Sequence, residues 1–233
     1  ADWYREDDAT GRNKWLTYFT KELPPLMDEQ FHGTGTDAIA GISMSGGPAL
    51  NIASLEPERF AAAASYSGCP ATSGVLGDTY VRQALKLNGA DPRKMWGLSS
   101  NPAWMAHSPV LHLDALEDTK LFISAAQGVP GAIDDTKTSS ERVGPPVAIE
   151  SASYACSEYF VDKAQRAGLD VEWYPQVEGT HSWGLFEKSM RKSWGVIGPA
   201  LDVQPFERET PVTKTPLPDE APQPVGGSAV SSK

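Results

Sequence analysis

One short segment carries the residues of a serine nucleophile. Residues 41–47 read Gly-Ile-Ser-Met-Ser-Gly-Gly and follow a short apolar run. In a nucleophile elbow, a sharp strand-to-helix turn exposes a serine Oγ, and small residues two positions before and after it let strand and helix approach closely. Gly41 meets the first requirement, and Ser45 is small enough to replace the usual glycine at the second. The pattern predicts Ser43 as the nucleophile and the N–H of Met44 as an oxyanion donor.

A serine nucleophile requires a general base, and the chain offers four histidines. In the fold that uses this turn, the chain order is serine, acid, histidine, with the histidine on a loop after the last strand. Only His181 fits, in Gly-Thr-His-Ser-Trp at 179–183. His32 precedes the serine, and we expect surface or capping roles for His107 and His112.

The acid is harder to choose from position alone. Asp134 and Asp135 lie shortly after the third predicted strand, where the acid of this fold generally sits. Most other carboxylates between that strand and the histidine are expected to be solvated charges on helix faces. No cluster of Cys and His has zinc-site spacing, so neither a metal nor another cofactor is expected.

The elements that must position these residues alternate along the chain. Helical spacing from residue 11 is expected to be closed by Pro24-Pro25, and helices are also predicted at 48–55, 79–87, 147–167 and 183–194. Short apolar runs predict buried strands at 36–43, 60–67, 120–126 and 171–177. Such alternation predicts an α/β fold with a parallel sheet covered by helices on both faces.

Composition excludes several classes of protein. The chain has 233 residues, 40% of them apolar, and a net charge of −10. This charge disfavours nucleic acid and anionic lipid as partners. No apolar run approaches the roughly 18 residues that a membrane-spanning helix needs. The polar, acidic first eight residues do not resemble a signal peptide, which leaves a cytosolic protein, a processed one or a fragment.

The two cysteines and the C-terminal segment complete the picture. Cys69 and Cys156 could be two buried thiols or one disulfide, and the sequence leaves both readings open. Residues 207–233 contain five prolines and no aromatic residue, which predicts a solvated, disordered tail. We therefore predict a folded domain at 1–206 and a Pro-rich tail at 207–233.

Several further stretches, in order across about residues 2–200, give a resemblance to a known family. They are Asp2-Trp-Tyr, Lys14-Trp15, Thr20-Lys-Glu-Leu-Pro, Gly41-Ile-Ser-Met, Pro57-Glu-Arg-Phe, Ser67-Gly68, Met95-Trp-Gly, Asn101-Pro-Ala-Trp and Gly179-Thr-His-Ser-Trp. The combination resembles the mycolyltransferases of the antigen 85 family. The resemblance implies a secreted cell-envelope enzyme of the α/β-hydrolase fold, without a cofactor. It would move a mycolyl chain between trehalose esters, or onto a cell-wall sugar, through an acyl-serine intermediate.

Residue roles follow from the resemblance by position. It implies Ser43 as nucleophile, His181 as base and, early in the helix before the last strand, Glu150 as acid, which we prefer to the two aspartates. Trp183 matches the tryptophan that lines the sugar site in the family. The implied partners are a trehalose monoester or other mycolic acid ester and a sugar acceptor, with no protein partner.

The chain also departs from the family. Its cysteine pair differs, and a disulfide between Cys69 and Cys156 would brace the helix of Glu150 and suit an extracytoplasmic protein. The family's fold begins with several strands, and with a loop that gives a second oxyanion N–H, so we expect these N-terminal strands to be missing here. Two other functions remain open: a carboxylesterase of the same fold, such as a feruloyl-esterase-like or formylglutathione-hydrolase-like enzyme, and a non-catalytic cell-wall binding module or inactive fragment.

Overall fold

A computed structural model describes residues 1–134 and 144–203 of the chain. The described residues contain eight α-helices: Trp15–Thr17 (α1), Leu23–Phe31 (α2), Gly46–Leu55 (α3), Gly74–Leu87 (α4), Pro92–Trp96 (α5), Ala103–Ala106 (α6), Pro145–Arg166 (α7) and Trp183–Ala200 (α8). They also contain four strands: Asp37–Ile42 (β1), Phe60–Tyr66 (β2), Lys120–Val129 (β3) and Val171–Glu178 (β4). Short 3-10 turns lie at Ser43–Ser45, Pro109–Leu111 and Asp114–Leu116, and Tyr18–Glu22 is π-helical.

The four strands form one sheet in the order β1-β2-β3-β4, and every neighbouring pair is parallel. The predicted α/β class is confirmed. The first and last residues of each predicted strand lie within three residues of those observed. The helices between consecutive strands are the crossover connections that parallel pairing requires.

Helices cover both faces of this sheet. On one face, Leu50 and Ala53 of α3 and Phe160 of α7 pack in a common core with Ala63 and Ile123 of the strands. On the other face, α8 contributes Ile197 to a second core, whose strand residues are Ala62, Ala64, Tyr66 and Phe122. Successive residues of β2 thus serve opposite cores, as the alternation of side chains along a strand dictates.

Among the helices that depart from their predicted limits, α2 and α4 do so for identifiable reasons. Helix α2 begins at Leu23 and continues through Pro24 and Pro25 to Phe31, so the prediction that the two prolines close a helix is wrong. They lie in the first turn of α2, where a missing N–H costs little. Helix α4 begins at Gly74, five residues before the predicted start. The prediction missed these residues because Gly74 and Gly77 weaken the sequence signal there.

The carboxyl ends of the parallel strands meet at one edge of the sheet, and residues with candidate roles follow them. Ser43 comes directly after β1, Ser67 after β2, and His181 shortly after β4. Within residues 1–134 and 144–203, no helix has the length and apolar character needed to cross a membrane. The predicted tail at 207–233 and Asp135 lie outside the described residues, so the domain limits remain predictions.

Candidate active site

Ser43 lies in a sharp turn between β1 and α3. Its φ of 55° is in the left-handed region, where a residue with a side chain pays a steric cost of about 1–3 kcal/mol. A Cβ on Gly41 would collide with the backbone of Ser45, which is why the strand must carry glycine at this position. The strained turn and the close strand-to-helix approach are the local geometry of a nucleophile elbow.

The hydroxyl of Ser45 closes this turn. It donates to the carbonyl oxygen of Ile42 at 2.6 Å and accepts from the Ile42 N–H at 3.0 Å. The Ser45 side chain thus satisfies both backbone polar groups of Ile42, the last residue of β1, which a glycine at this position could not do. These bonds turn the Ser45 hydroxyl back onto the strand.

A continuous chain of hydrogen bonds links Ser43, His181 and Glu150. The distance from His181 Nε2 to Ser43 Oγ is 2.7 Å, and that from His181 Nδ1 to Glu150 Oε2 is also 2.7 Å. An ionised carboxylate can only accept a hydrogen bond, so the network assigns the imidazole N–H to Nδ1. Nε2 is then free to accept the Ser43 proton, as a general base does.

The Glu150 carboxylate is fully buried and fully engaged. Its Oε1 accepts hydrogen bonds from the Ser67 hydroxyl at 2.8 Å and from the Ala126 N–H at 2.7 Å. These bonds compensate the burial of the charge and leave Oε2 directed at the imidazole. Ser67, with a φ of 51°, is a site residue that sequence reasoning missed. Its place directly after β2, at the carboxyl edge of the sheet, was the available signal.

Asp134, one of the two aspartates considered as the acid, contacts the residues that flank His181 in the chain. Its carboxylate accepts hydrogen bonds from the Gly131 N–H at 2.8 Å, the Thr180 N–H at 2.7 Å, the Thr180 hydroxyl at 2.8 Å and the Ser182 hydroxyl at 3.0 Å. Burial alone would raise the pKa of Asp134, but these hydrogen bonds outweigh it and hold the pKa below its usual value. Asp134 thus accepts hydrogen bonds from the residues immediately before and after His181, while Glu150 is the carboxylate bonded to the imidazole.

A disulfide fixes the helix that carries Glu150. Cys69, just beyond β2, is bonded to Cys156 of α7. One residue further along α7, the Ser157 hydroxyl donates to the carbonyl oxygen of Gly68 at 3.0 Å. The middle of α7 is therefore attached to the chain just beyond β2 both by a covalent bond and by a hydrogen bond.

Met44 and Trp183 are the other two residues with predicted roles at the site. Met44 is the second residue of the helical turn, where N–H groups lack acceptors within the helix, so its N–H is available to a ligand. Trp183 begins α8, two residues after His181, and is 77% exposed. Its ring lies edge-on to Phe186, which in turn lies edge-on to the His181 imidazole. The indole therefore presents a large free aromatic surface beside the site.

A cavity of about 640 Å³ opens at Ser43 and His181. Its walls come from α4 and the start of α7 and are mainly apolar: Val75, Leu76, Leu87, Ala148, Ile149 and Ala152. Sequence analysis did not assign α4 to the site. The signal was present, because the residues that line the cavity recur with helical spacing along one side of α4.

The other histidines lie away from this chain of bonds. His107 ends α6 and stacks on Trp96 with ring centroids 4.6 Å apart, and its burial lowers its pKa. His112 ends the 3-10 turn at Pro109–Leu111, and His32 ends α2. In the part of the chain that the structure describes, no three His, Cys, Asp or Glu side chains are grouped to hold a metal ion.

Comparison with known proteins places these features in a wider group. The model of the Esterase family, described as "Putative esterase", matches residues 2–195. Over 200 residues the chain is 30% identical to the diacylglycerol acyltransferase/mycolyltransferase Ag85C of Mycobacterium avium, and the match covers 82% of this chain and 54% of that protein. The chain thus spans about half the length of this curated relative. The resemblance noted in the sequence is confirmed.

Solved structures share the fold. MPT51 (FbpC1) of Mycobacterium tuberculosis superposes with a TM-score of 0.71 at 21% identity, covering 86% of this chain and 72% of that one. A ferulic acid esterase superposes with a TM-score of 0.56 at 18% identity, covering 85% of this chain and 66% of that one. At these identities the likeness establishes a common fold.

Proposed function

The chain belongs to the Esterase family, and from this premise we propose that it is a serine acyltransferase that works through an acyl-serine intermediate. Ser43 is the nucleophile, His181 the general base and Glu150 the acid that orients it. The observation that carries the proposal is the unbroken chain of two 2.7 Å hydrogen bonds from Glu150 through His181 to Ser43, placed at the mouth of an apolar cavity.

The proposed reaction follows the positions of the protons. Ser43 Oγ attacks the carbonyl carbon of an acyl ester while its proton passes to His181 Nε2. The buried Glu150 carboxylate stabilises the resulting imidazolium, and the Met44 N–H donates to the developing oxyanion. When the carbonyl re-forms, the ester C–O bond breaks and His181 returns the proton to the leaving alkoxide. A second hydroxyl then attacks the acyl-serine by the same steps.

The cavity supports a long-chain acyl group as the transferred unit. Its apolar walls on α4 and α7 begin at the nucleophile, so an acyl chain bound there would place its ester carbonyl at Ser43. Each methylene removed from water in such a cavity contributes about 0.8 kcal/mol to binding. A polar substrate group would gain no comparable binding free energy from these apolar walls.

The exposed Trp183 supports a sugar as the group on the other side of the ester. An indole face beside the base can stack on the apolar face of a pyranose ring and hold one of its hydroxyls near His181. Together with the similarity to a protein named diacylglycerol acyltransferase/mycolyltransferase, this leads us to propose mycolyl transfer between trehalose esters or onto cell-wall sugar. We also propose a secreted or cell-envelope location, because a disulfide persists in oxidising compartments.

A carboxylesterase of the same fold is the second candidate. The shared fold with a ferulic acid esterase favours it, since an esterase would use the same nucleophile and base but pass the acyl group to water. The partition of a radiolabelled acyl group between trehalose and water separates the two functions. Dominant hydrolysis at saturating trehalose would favour the esterase.

The first test is covalent labelling of the nucleophile. We expect a fluorophosphonate to add once to the chain, at Ser43, as seen by intact mass and peptide mapping. Ser43→Ala should remove the adduct, whereas Ser45→Ala, which loses a structural hydroxyl, should retain it. A folded protein that takes up no label would support the third candidate, a non-catalytic binding module or inactive fragment.

A further inference from the structure

Exposed apolar side chains surround the mouth of the cavity at Ser43. Val75 and Leu87, at the two ends of α4, are 90% and 75% exposed, and Met44 is 64% exposed. Leu76 is exposed as well, and all four residues line the same cavity. We call Met44, Val75, Leu76 and Leu87 the mouth surface. Large apolar side chains that are exposed together on a folded protein mark a binding surface.

Two charged side chains of α4 are engaged within the protein, and neither lines the cavity. Asp78 and Arg82 form an ion pair at 2.8 Å, and both are hydrogen-bonded to the Ser99 hydroxyl. The Arg82 guanidinium also lies over the Trp104 ring, 4.6 Å from its centroid. Among the described residues, those that line the cavity include no Lys, Arg, Asp or Glu. The mouth surface is therefore both apolar and uncharged, on a chain whose net charge is −10.

The position of the nucleophile decides which kind of partner this surface fits. Ser43 and His181 line the same cavity, so a protein or a second copy seated on the mouth surface would cover both and close the route to them. An assembled lipid would instead bring acyl esters to the nucleophile. Long acyl chains assemble in water because exposure of their methylenes to water is unfavourable. The net negative charge of the chain favours a lipid layer without anionic headgroups.

We propose that the mouth surface docks onto a layer of assembled acyl lipid without net charge, from which an acyl chain enters the cavity without crossing water. The inference rests on the proposed function, because it takes an acyl ester as the substrate. Val75 and Leu87 are separated by about three helical turns, or roughly 18 Å along α4. Helix α4 then lies parallel to the layer, as interfacial amphipathic helices do. Lys86, which is exposed beside Leu87, can extend its ammonium to the level of the headgroups.

Vesicles of phosphatidylcholine, which has no net charge, test the docking directly. We expect the unaltered protein to float with them in a density gradient. Val75→Asp/Leu87→Asp should weaken this binding about 100-fold, because two exposed apolar side chains no longer leave water on docking. Replacement of part of the phosphatidylcholine by phosphatidylglycerol should also weaken binding of the unaltered protein, because its net charge is −10 and the added headgroups are anionic.

Leu26→Asp/Phe31→Asp is the matched control, since it makes the same kind of replacement on another helix. Leu26 and Phe31 are exposed on α2. This helix is tied to the amino end of β1 through Arg59, which bonds both Asp28 of α2 and Asp37, the first residue of β1. The cavity instead opens at the carboxyl end of β1, at the nucleophile. The control variant should bind vesicles like the unaltered protein.

A rate measurement separates docking from binding inside the cavity, which Val75 and Leu87 also line. One ester, p-nitrophenyl decanoate, is supplied below and above the concentration at which it assembles. Because the acyl chain is the same, the contribution of the cavity walls cancels in the ratio of the two rates. We expect the rate to rise steeply on assembly for the unaltered protein and for the α2 control, and Val75→Asp/Leu87→Asp to lose most of that rise.

The outcomes separate this inference from the function on which it rests. An unaltered protein that does not bind phosphatidylcholine vesicles would overturn the inference, and so would equal loss of binding in the two double variants. A dimer that Val75→Asp/Leu87→Asp dissociates would also overturn it, because a second copy would then cover the mouth surface. Vesicle binding requires no catalysis, so a chain that binds vesicles but takes up no label at Ser43 would lose the proposed acyl-serine mechanism and keep the docking surface.

Discussion

Glu150 and Asp134 are both almost completely buried carboxylates, and both act on the segment that holds His181, but they contact different parts of it. Glu150 bonds to the imidazole, whereas Asp134 bonds to Thr180 and Ser182 on either side of the histidine. Glu150 lies in the second turn of the sheet-packed helix α7, while Asp134 follows the third strand. Burial alone therefore does not distinguish the two carboxylates; the groups that they contact do.

The two carboxylates also differ in how the chain holds them. The helix of Glu150 is attached to the end of β2 by the Cys69–Cys156 disulfide and by the Ser157 hydroxyl. Asp134 accepts hydrogen bonds from Gly131 of its own turn and from Thr180 and Ser182 of the His181 loop. The place after the third strand, where an acid of this fold generally sits, is thus used for orientation of the loop. The carboxylate that is bonded to the imidazole comes instead from α7.

The largest expected effect is that of Glu150→Gln. The amide is nearly isosteric, but it cannot stabilise the imidazolium and can favour the wrong imidazole tautomer, so we expect kcat to fall about 10⁴-fold. Steady-state kinetics on a p-nitrophenyl ester, with circular dichroism to verify folding, measures this. If Asp134→Asn cost as much activity as Glu150→Gln, the assignment of different roles to the two carboxylates would be wrong.

Removal of the disulfide should be the next largest effect. The bond closes a loop of 87 residues, and loss of such a constraint on the unfolded chain lowers the free energy of unfolding by up to about 4.6 kcal/mol. Urea unfolding of Cys69→Ser/Cys156→Ser against the oxidised protein tests this. We expect only a small change in kcat beside this loss of stability, because Ser67 and Ser157 still link α7 to the end of β2. Equal midpoints would show that the covalent link adds nothing to the hydrogen bonds.

Asp134→Asn should have an intermediate effect, divided between stability and rate. The amide loses the charge that four donors share, which we expect to lower the free energy of unfolding by about 1–3 kcal/mol. A looser His181 loop should lower kcat by about 10-fold through misplacement of the imidazole. Glu178→Gln, an exposed carboxylate at the end of β4, is the control and should change neither quantity. A stable protein with full activity would remove Asp134 from the positioning of the base.

The sequence was sufficient to predict the strands and those site residues that belong to motifs. The apolar runs located all four strands, because buried parallel strands are short and continuously apolar. Ser43 and His181 follow from a turn motif and from chain order, and the structure brings them to within 2.7 Å. The acid could not be chosen from position, because both Asp134 and Glu150 lie between the third strand and the histidine. The family resemblance was what favoured Glu150.

The sequence could not predict contacts between site residues that lie on different elements of the fold. Ser67 contacts Glu150 only after β2 has packed beside α7, and the sequence marked it only as part of the Ser67-Gly68 stretch of the resemblance, without a role. The start of α4 was missed because two glycines hide it, and the continuation of α2 because two prolines appear to end it. In each case the residue type is a weak helix former whose position in the first turns makes it tolerable.

The smallest expected effect is the response of the Asp134→Asn variant to acid. The hydrogen bonds to Asp134 hold its pKa below the value of about 3.9 that it has in an unfolded chain. The native state therefore binds the proton less readily than the unfolded one, and the stabilisation is complete above about pH 5 and disappears as the pH falls through the native pKa. Asp134→Asn lacks this ionisation. The difference in unfolding free energy between the unaltered protein and Asp134→Asn should thus be constant from pH 7 to 5 and narrow below about pH 4. Urea unfolding at a series of pH values measures it, and a difference that widened in acid would mean that the buried carboxylate is destabilising in its charged form.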